Sequence, residues 1–258
     1  MRKFCVMMIL LSFILALFAP LISSYDPNLV DLSKAKIAPN LSHIFGTDLL
    51  GRDVFTRILY ALRVSLFVGV MAAFFSVLFA CVYVFLTRFF AYAFFARVLD
   101  MLLALPSLLV IMFFQSFLAG SLWSMIFIIA LGHFAFVAKV LDTQLNKFQK
   151  LEFYQNAIIL GSSKMKALFS ELLPACWNLL FVLFVLNIAH AITSEATLSF
   201  FGLGVELWTP SLGNMLNEAS KAVFLGFWWM IVFPVAFILM LILPLLALGN
   251  DLQEEIKV

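Results

Sequence analysis

Long apolar blocks alternate with shorter polar segments along this chain of 258 residues. Runs of about 20 apolar residues are long enough to cross a bilayer, and lipid favours helices because a helical backbone satisfies its own hydrogen bonds. Pro106 predicts a kink in the third block. The pattern therefore predicts an all-α membrane protein with six transmembrane helices. The blocks cover approximately residues 4–22, 64–86, 98–118, 123–141, 176–196 and 226–248.

The polar segment between the fourth and fifth blocks has the pattern of two short amphipathic helices. In each half, apolar residues recur at intervals of three and four, as on one face of a helix. The break at residues 161–163, Gly-Ser-Ser, supplies a cap for the second helix. An ordered surface of this kind indicates contact with another protein. The apolar residues are Phe153, Tyr154, Ala157 and Ile158, then Met165, Leu168, Phe169 and Leu172.

Composition excludes a soluble globular protein. Hydrophobic residues make up 65% of the chain and charged residues 12%, and the mean hydropathy is +1.12. Most of the chain must therefore lie in lipid. Cys5, Cys81 and Cys176 lie in or beside apolar blocks and have no CxxC spacing, so we expect neither a disulfide framework nor a cysteine metal site.

The distribution of basic residues predicts the orientation. Six spans place both termini on one side, together with the polar segment at residues 142–175. Ten of the 16 Lys and Arg residues fall on that side and six on the other. Cytoplasmic loops are enriched in basic residues, so we expect cytoplasmic termini and a first block retained as a signal anchor. The segments at residues 23–63 and 198–224 are then periplasmic.

The segment between the fourth and fifth blocks also carries a recognisable frame. It resembles the cytoplasmic "EAA" signature of binding-protein-dependent ABC importer permeases, which has Glu-Ala-Ala, then Gly, then Ile-x-Leu-Pro. Gln155, Asn156 and Glu171 depart from the usual residues, whereas the Gly and the final Leu-Pro are in register. The corresponding positions are Gln155, Asn156, Ala157, Gly161, Glu171, Leu173 and Pro174.

Other segments resemble dipeptide, oligopeptide and nickel importer permeases in the expected order. Residues 45–66 begin with FGTDLLGRD and end with RVSL, and residues 198–216 contain LSFFGLGV and PSLGNML. Residues 248–252, LGNDL, match the tail of those proteins. We therefore interpret residues 1–258 as one permease domain. The matched positions of the periplasmic motif are Gly46, Thr47, Asp48, Gly51, Arg52, Asp53 and Arg57.

The resemblance implies a pore subunit in the bacterial cytoplasmic membrane. Its implied partners are a homologous second permease, two cytoplasmic ATPases that bind the 142–175 loop, and a periplasmic solute-binding protein. No Gly is followed by Lys, so the chain has no Walker A phosphate loop. We therefore expect a non-enzymatic subunit that binds no cofactor and no nucleic acid, with ATP used by its partners. The alternative for the amphipathic loop is that it lies on the bilayer or packs on the permease itself.

Alternating charges at Asp48, Arg52, Asp53 and Arg57 have two interpretations. They form either a solvated, salt-bridged loop before the second span or a contact surface for the binding protein. Exposed charge clusters seldom identify a partner, so the first interpretation is preferred.

Ionisable residues inside the spans are candidates for the substrate pathway, because burying them in lipid is costly. They are His133, His190 and Glu195. The surroundings of both histidines resemble those in nickel-importer permeases, and neutral imidazole binds Ni(II). We therefore expect nickel, free or chelated, as the cargo, with His133 and His190 as metal ligands. The alternative is that each histidine has a structural role and hydrogen-bonds a neighbouring helix.

Three other functions stay open. The first is the same role for di- or oligopeptides. The second is a secondary transporter or channel, which would need no docking loop and often has inverted repeats. The third is an intramembrane hydrolase, but no nucleophile with a base is evident near either histidine. The predicted mechanism is alternating access driven by the ATPases.

Overall fold

The computed structural model describes residues 2–23, 25–118, 121–206, 208–222 and 225–257. Positions 207, 223 and 224 of the predicted 198–224 segment and the last residue of the tail lie outside them. The helices are α1 (Arg2–Leu17), α2 (Ala19–Ile22), α3 (Val54–Thr87), α4 (Tyr92–Leu103), α5 (Ser107–Phe117), α6 (Leu122–Phe148), α7 (Glu152–Ile159), α8 (Lys164–Ala167), α9 (Leu173–Ala175), α10 (Trp177–Phe200), α11 (Leu212–Ser220) and α12 (Trp229–Lys257). A 3-10 turn lies at Leu32–Lys34 and a π turn at Leu168–Leu172.

The prediction of an all-α, multi-span membrane protein is confirmed. Helices α3, α6, α10 and α12 are each long and apolar enough to cross a membrane, and the bent pair α4–α5 brings the number of candidate spans to five if the two helices cross as one. The first predicted span corresponds to α1 and α2. Backbone hydrogen bonds from Phe18 to Ile14, at 2.9 Å, and from Ile22 to Phe18, at 3.0 Å, carry this helix across the break between them.

The third predicted span is broken rather than kinked. Helices α4 and α5 meet at 86° around residues 104–106. Pro106 cannot donate a backbone hydrogen bond and disfavours helical geometry at the preceding residue, Leu105. The prediction of one kinked helix was wrong because a kink requires the helix to resume in nearly the same direction.

Several predicted helices were too short. Helix α3 begins at Val54 instead of residue 64, because Asp53 caps it by accepting a hydrogen bond from the backbone of Thr56. Its 34 residues span about 51 Å, which is more than the hydrocarbon thickness of a bilayer. Residues 142–148 belong to α6 rather than to the loop, and the polar tail is the end of α12.

Helix α3 is the centre of the bundle and packs against α1, α6 and α10, while α12 packs against α1 and α10. Gly69 allows a close approach of α3 to α10. A Cβ atom at this position would lie 2.5 Å from the side chain of Ile192. Small residues at such crossings let membrane helices gain van der Waals contact.

The bundle has two distinct ends. At one end, which we call the terminal side, Arg2 of α1 pairs with Glu255 of α12 at 2.6 Å. The ends of α3 and α6 and the helices α7–α9 lie on this side. At the other end, the capped side, residues 25–53 fold over the starts of α3 and α12. Trp229 Nε1 donates to the carbonyl of Thr47 at 3.1 Å and fixes this cap segment to α12.

Candidate functional site

Helices α7 to α9, residues 152–175, form a knob on the terminal side. Gly161 has φ +92°, which a glycine adopts without strain, and it turns the chain between α7 and α8. Ser163 then caps α8 by accepting a hydrogen bond from the backbone of Lys166 at 3.2 Å. The sequence pattern thus located both helices, the break and the cap.

The apolar stripe of the second half divides between two surfaces. Leu168 and Leu172 are buried against α6 and α10, whereas Met165 and Phe169 are 54% and 51% exposed. The four apolar residues of this half therefore do not share one surface, since two are buried in the bundle and two are exposed. The π turn at Leu168–Leu172 adds a residue to the turn and rotates the following positions away from the α-helical stripe.

The tip of the knob presents apolar side chains that the sequence pattern did not single out. Ile159 and Leu160 are 79% and 86% exposed. They end α7 immediately before Gly161 and so project from the turn itself. The signal was available in the sequence, since both residues are apolar, lie outside the predicted apolar stripe and directly precede a turn.

The three positions at which the EAA-like frame departs from the usual residues have different surroundings. The exposed Gln155 donates through Nε2 to the carbonyl of Gln149, at 2.8 Å, and so holds α7 to the end of α6. Asn156 is exposed, and Glu171 accepts a hydrogen bond only from Ser170, at 3.1 Å, among the described residues. Gln155 and Asn156 therefore lie at the surface, where polar side chains cost little, whereas Glu171 is half-buried.

A cluster beside the knob was missed by the sequence reasoning. Arg88, at the end of α3, pairs with Asp142 of α6 and donates to Asn146 at 2.7 Å. Tyr92 donates to the other Asp142 oxygen at 2.8 Å, and its ring lies 5.0 Å from the Arg88 guanidinium carbon. The available signal was an acid directly after the apolar fourth block, because a buried acid needs a basic partner. The cluster fixes α3 to α6 next to the knob.

On the capped side, the alternating charges form a buried network. Asp48 Oδ2 lies 2.7 Å from both Arg52 and Arg57. Glu218 of α11 pairs with the same two arginines at 2.6 Å. The arginines are only 7% and 1% exposed, so the expectation of a solvated loop was wrong, although the salt bridges exist.

Glu218 was missed because the motif is electrically balanced in sequence, with two acids and two bases. Asp53, however, pairs with neither arginine. It caps α3 and its Oδ1 lies 2.9 Å from His43 Nδ1. Within the motif, Asp48 is then the one acid that pairs with the two arginines. The remaining buried positive charge requires a second acid, which is Glu218 of α11.

The remaining motif residues shape the cap segment. Gly46 and Gly51 have φ +74° and +78°, and a Cβ atom on Gly51 would lie 1.8 Å from the Asp31 carbonyl oxygen. Thr47 donates to the carbonyl of Lys34 at 2.6 Å and accepts from the backbone of Ile37 at 2.8 Å. These contacts make the motif a scaffold for the start of α3.

The structure brings the two span histidines together. Their ring centroids are 6.2 Å apart, with His133 on α6 and His190 on α10. His133 Nε2 forms a hydrogen bond with Ser194 Oγ of α10 at 2.9 Å, as expected if this histidine has a structural role. His190 is instead exposed. Within the described residues, no third His, Cys, Asp or Glu joins them to form a metal-binding group.

Glu195 lies apart from the histidines, inside the bundle. It is fully buried, and it accepts hydrogen bonds from Ser65 of α3 at 2.7 Å and from Ser199 at 2.9 Å. It therefore joins α3 to α10 below the cap.

These features define the class of the protein: a multi-span helical membrane protein with a helical knob at one end and a cap segment at the other. Residues 65–254 match the family described as binding-protein-dependent transport system inner membrane component, and the chain belongs to this family. It is therefore an ABC transporter permease of the inner membrane and not an enzyme, and ATP hydrolysis takes place in separate ATPase subunits.

Three relatives refine the assignment. The dipeptide transport system permease protein DppC of Bacillus subtilis is 30% identical over 96% of this chain and 78% of its own length. The oligopeptide transport system permease protein OppC of the same organism is 30% identical over 96% and 82%. A putative peptide permease protein of Brucella suis is 33% identical over 91% and 79%. The resemblance to peptide permeases is confirmed, and none of these three relatives is named for nickel.

Proposed function

We propose that this chain is a pore-forming subunit of an ATP-driven importer of di- or oligopeptides. It acts with a second, homologous permease, two ATPases and a solute-binding protein. The observation that carries the proposal is the near-full-length similarity to permeases named for dipeptide and oligopeptide transport. This cargo replaces nickel as the preferred one.

The terminal side is proposed to face the cytoplasm. It carries the greater share of Lys and Arg, which favours a cytoplasmic location. The knob lies on the same side as the termini, so it is available to ATPases there. The cap segment then faces the periplasm, from which a binding protein delivers the cargo.

The knob is proposed to dock in a groove of an ATPase through Ile159 and Leu160. Two exposed apolar side chains at a rigid tip suit insertion into a groove. The Arg88–Asp142 cluster and the bond from Gln155 to Gln149 tie the knob to α3 and α6. Movement of an ATPase would therefore reach the spans as rigid-body motion.

The substrate pathway is proposed to run along the exposed face of α10 at His190, with His133 beside it. An imidazole exposed on a lipid-facing surface would be costly, so an aqueous pathway is the better environment. Glu195 is instead proposed to be structural, because both of its oxygens are already hydrogen-bonded inside the bundle.

Nickel is kept as a second candidate because of one observation, the proximity of the two histidine rings. Imidazole nitrogens bind Ni(II), but a pair of them leaves most of the coordination sphere to water or to a chelator. A chelated metal would fit this pair better than a free ion.

Uptake assays in cells distinguish the two cargoes. We expect a strain that lacks this chain to lose uptake of radiolabelled alanyl-alanine and to keep its nickel uptake. Complementation with the wild type, His133→Ala or His190→Ala shows whether the histidines matter for either cargo. Loss of nickel uptake with intact dipeptide uptake would reverse the assignment.

A further inference from the structure

An apolar groove runs between α1 and α3 on the outside of the bundle. Its volume is about 240 Å³. Phe13, Leu17 and Phe67 are 54%, 59% and 44% exposed, so the groove opens toward the surroundings of the protein. Its apolar lining consists of Phe13, Ala16, Leu17, Leu66, Phe67 and Val70.

One cation, Arg63, stands among these apolar residues. It lines the groove and is exposed on α3. In the ranges that the structure covers, every ion pair of an arginine involves Arg2, Arg52, Arg57 or Arg88, and Arg63 has none. A guanidinium is always charged and offers several donors, so this position favours an anion from outside the chain.

The depth of Arg63 follows from its neighbours. Trp123, at the start of α6, is 50% exposed and lies 6.0 Å from the Phe67 ring in an edge-on contact. Exposed tryptophans mark the membrane–water interface. Arg63 lies one helical turn, about 6 Å, closer to the capped side than Phe67. Its guanidinium therefore reaches the headgroup level, while the groove extends from it toward the hydrocarbon.

We propose that the α1–α3 groove binds one anionic phospholipid of the leaflet on the capped side. The Arg63 guanidinium pairs with the phosphate, for which its planar array of donors is well suited. An acyl chain lies along Phe13, Leu66 and Val70. A zwitterionic headgroup carries its own cation and so gains less from Arg63, which makes an anionic headgroup the preferred ligand.

Native mass spectrometry of the complete transporter tests this site. The complex is purified after equilibration with phosphatidylglycerol and phosphatidylcholine, and the lipids that it retains are counted. We expect Arg63→Gln to weaken phosphatidylglycerol retention by about fivefold, the effect of one basic residue near a membrane surface. Arg63→Lys should retain most of the binding. Leu17→Trp should also reduce retention, because it fills the groove and leaves the charge in place.

Lys221→Gln is the matched control, since Lys221 is an exposed cation on the capped side outside the groove. Its retention should equal that of the wild type. Equal retention by Arg63→Gln and the wild type would overturn the proposal. Short-range cross-linking of Leu17→Cys to the second permease would also overturn it, because the groove would then be a subunit interface.

Discussion

Buried acids in this permease have different structural tasks that depend on their partners. Asp53 caps a helix, Asp48 pairs with two arginines that Glu218 also contacts, and Glu195 accepts hydrogen bonds from two serines, one on α3 and one on α10. In each case the carboxylate is satisfied by the protein itself. For Asp48 and Asp53, the cost of burying the charge is thereby offset, and the cap segment is fixed to the bundle.

We expect Glu218→Ala to destabilise the cap segment. The change leaves Arg52 and Arg57 with only Asp48 as a partner within the described network. Removing one partner of a fully buried pair costs about 3–5 kcal/mol, and we expect about 2 kcal/mol here because Glu218 is 21% exposed. The measurement is the midpoint of thermal unfolding of the purified permease in detergent.

Glu206→Ala provides the control, because Glu206 is an exposed acid on the same side. Its unfolding midpoint should match that of the wild type. If Glu218→Ala and Glu206→Ala gave the same midpoint, the network would not be what secures α11 to the start of α3.

At the scale of elements, the turn at Gly161 sets the shape of the knob. A Cβ atom at this position would meet nothing within 4 Å, so only the backbone conformation restricts the residue. Proline cannot adopt φ +92°, and it would remove the hydrogen bond from the Gly161 backbone to Ile158 at 3.0 Å. Asparagine tolerates this region of φ far better.

We therefore expect Gly161→Pro to uncouple ATP hydrolysis from uptake in the reconstituted transporter, whereas Gly161→Asn keeps the two coupled. The readout is the ratio of cargo moved to ATP hydrolysed, with assembly of the complex verified for both variants. Unchanged substrate-stimulated ATPase and uptake in Gly161→Pro would show that the knob does not transmit the movement.

The sequence predicted those elements that depend on local chemistry. Periodicity and the Gly-Ser-Ser break located α7 and α8, and the apolar blocks located the spans. It did not predict the 86° angle at Pro106, since proline fixes where a helix stops but not where the next one points. The π turn and the partner role of Glu218 were also missed, because both depend on packing between distant segments.

On the scale of the whole molecule, two rigid ends are joined by spans that pack closely. The knob is fixed to α3 and α6 by the Arg88–Asp142 cluster, and the cap segment is fixed to α3 and α11 by the buried charges. Helix α3 belongs to both ends. A displacement of the knob is therefore expected to reach the capped side through α3, as alternating access requires.

Transport by the complete complex in proteoliposomes tests the proposed function most directly. ATP is enclosed in the vesicles, and the binding protein of the same system is added outside with radiolabelled alanyl-alanine. We expect the dipeptide to accumulate in the lumen only when both ATP and the binding protein are present. Accumulation that needs neither of them and follows an imposed proton gradient would contradict an ATP-driven importer and indicate a secondary transporter.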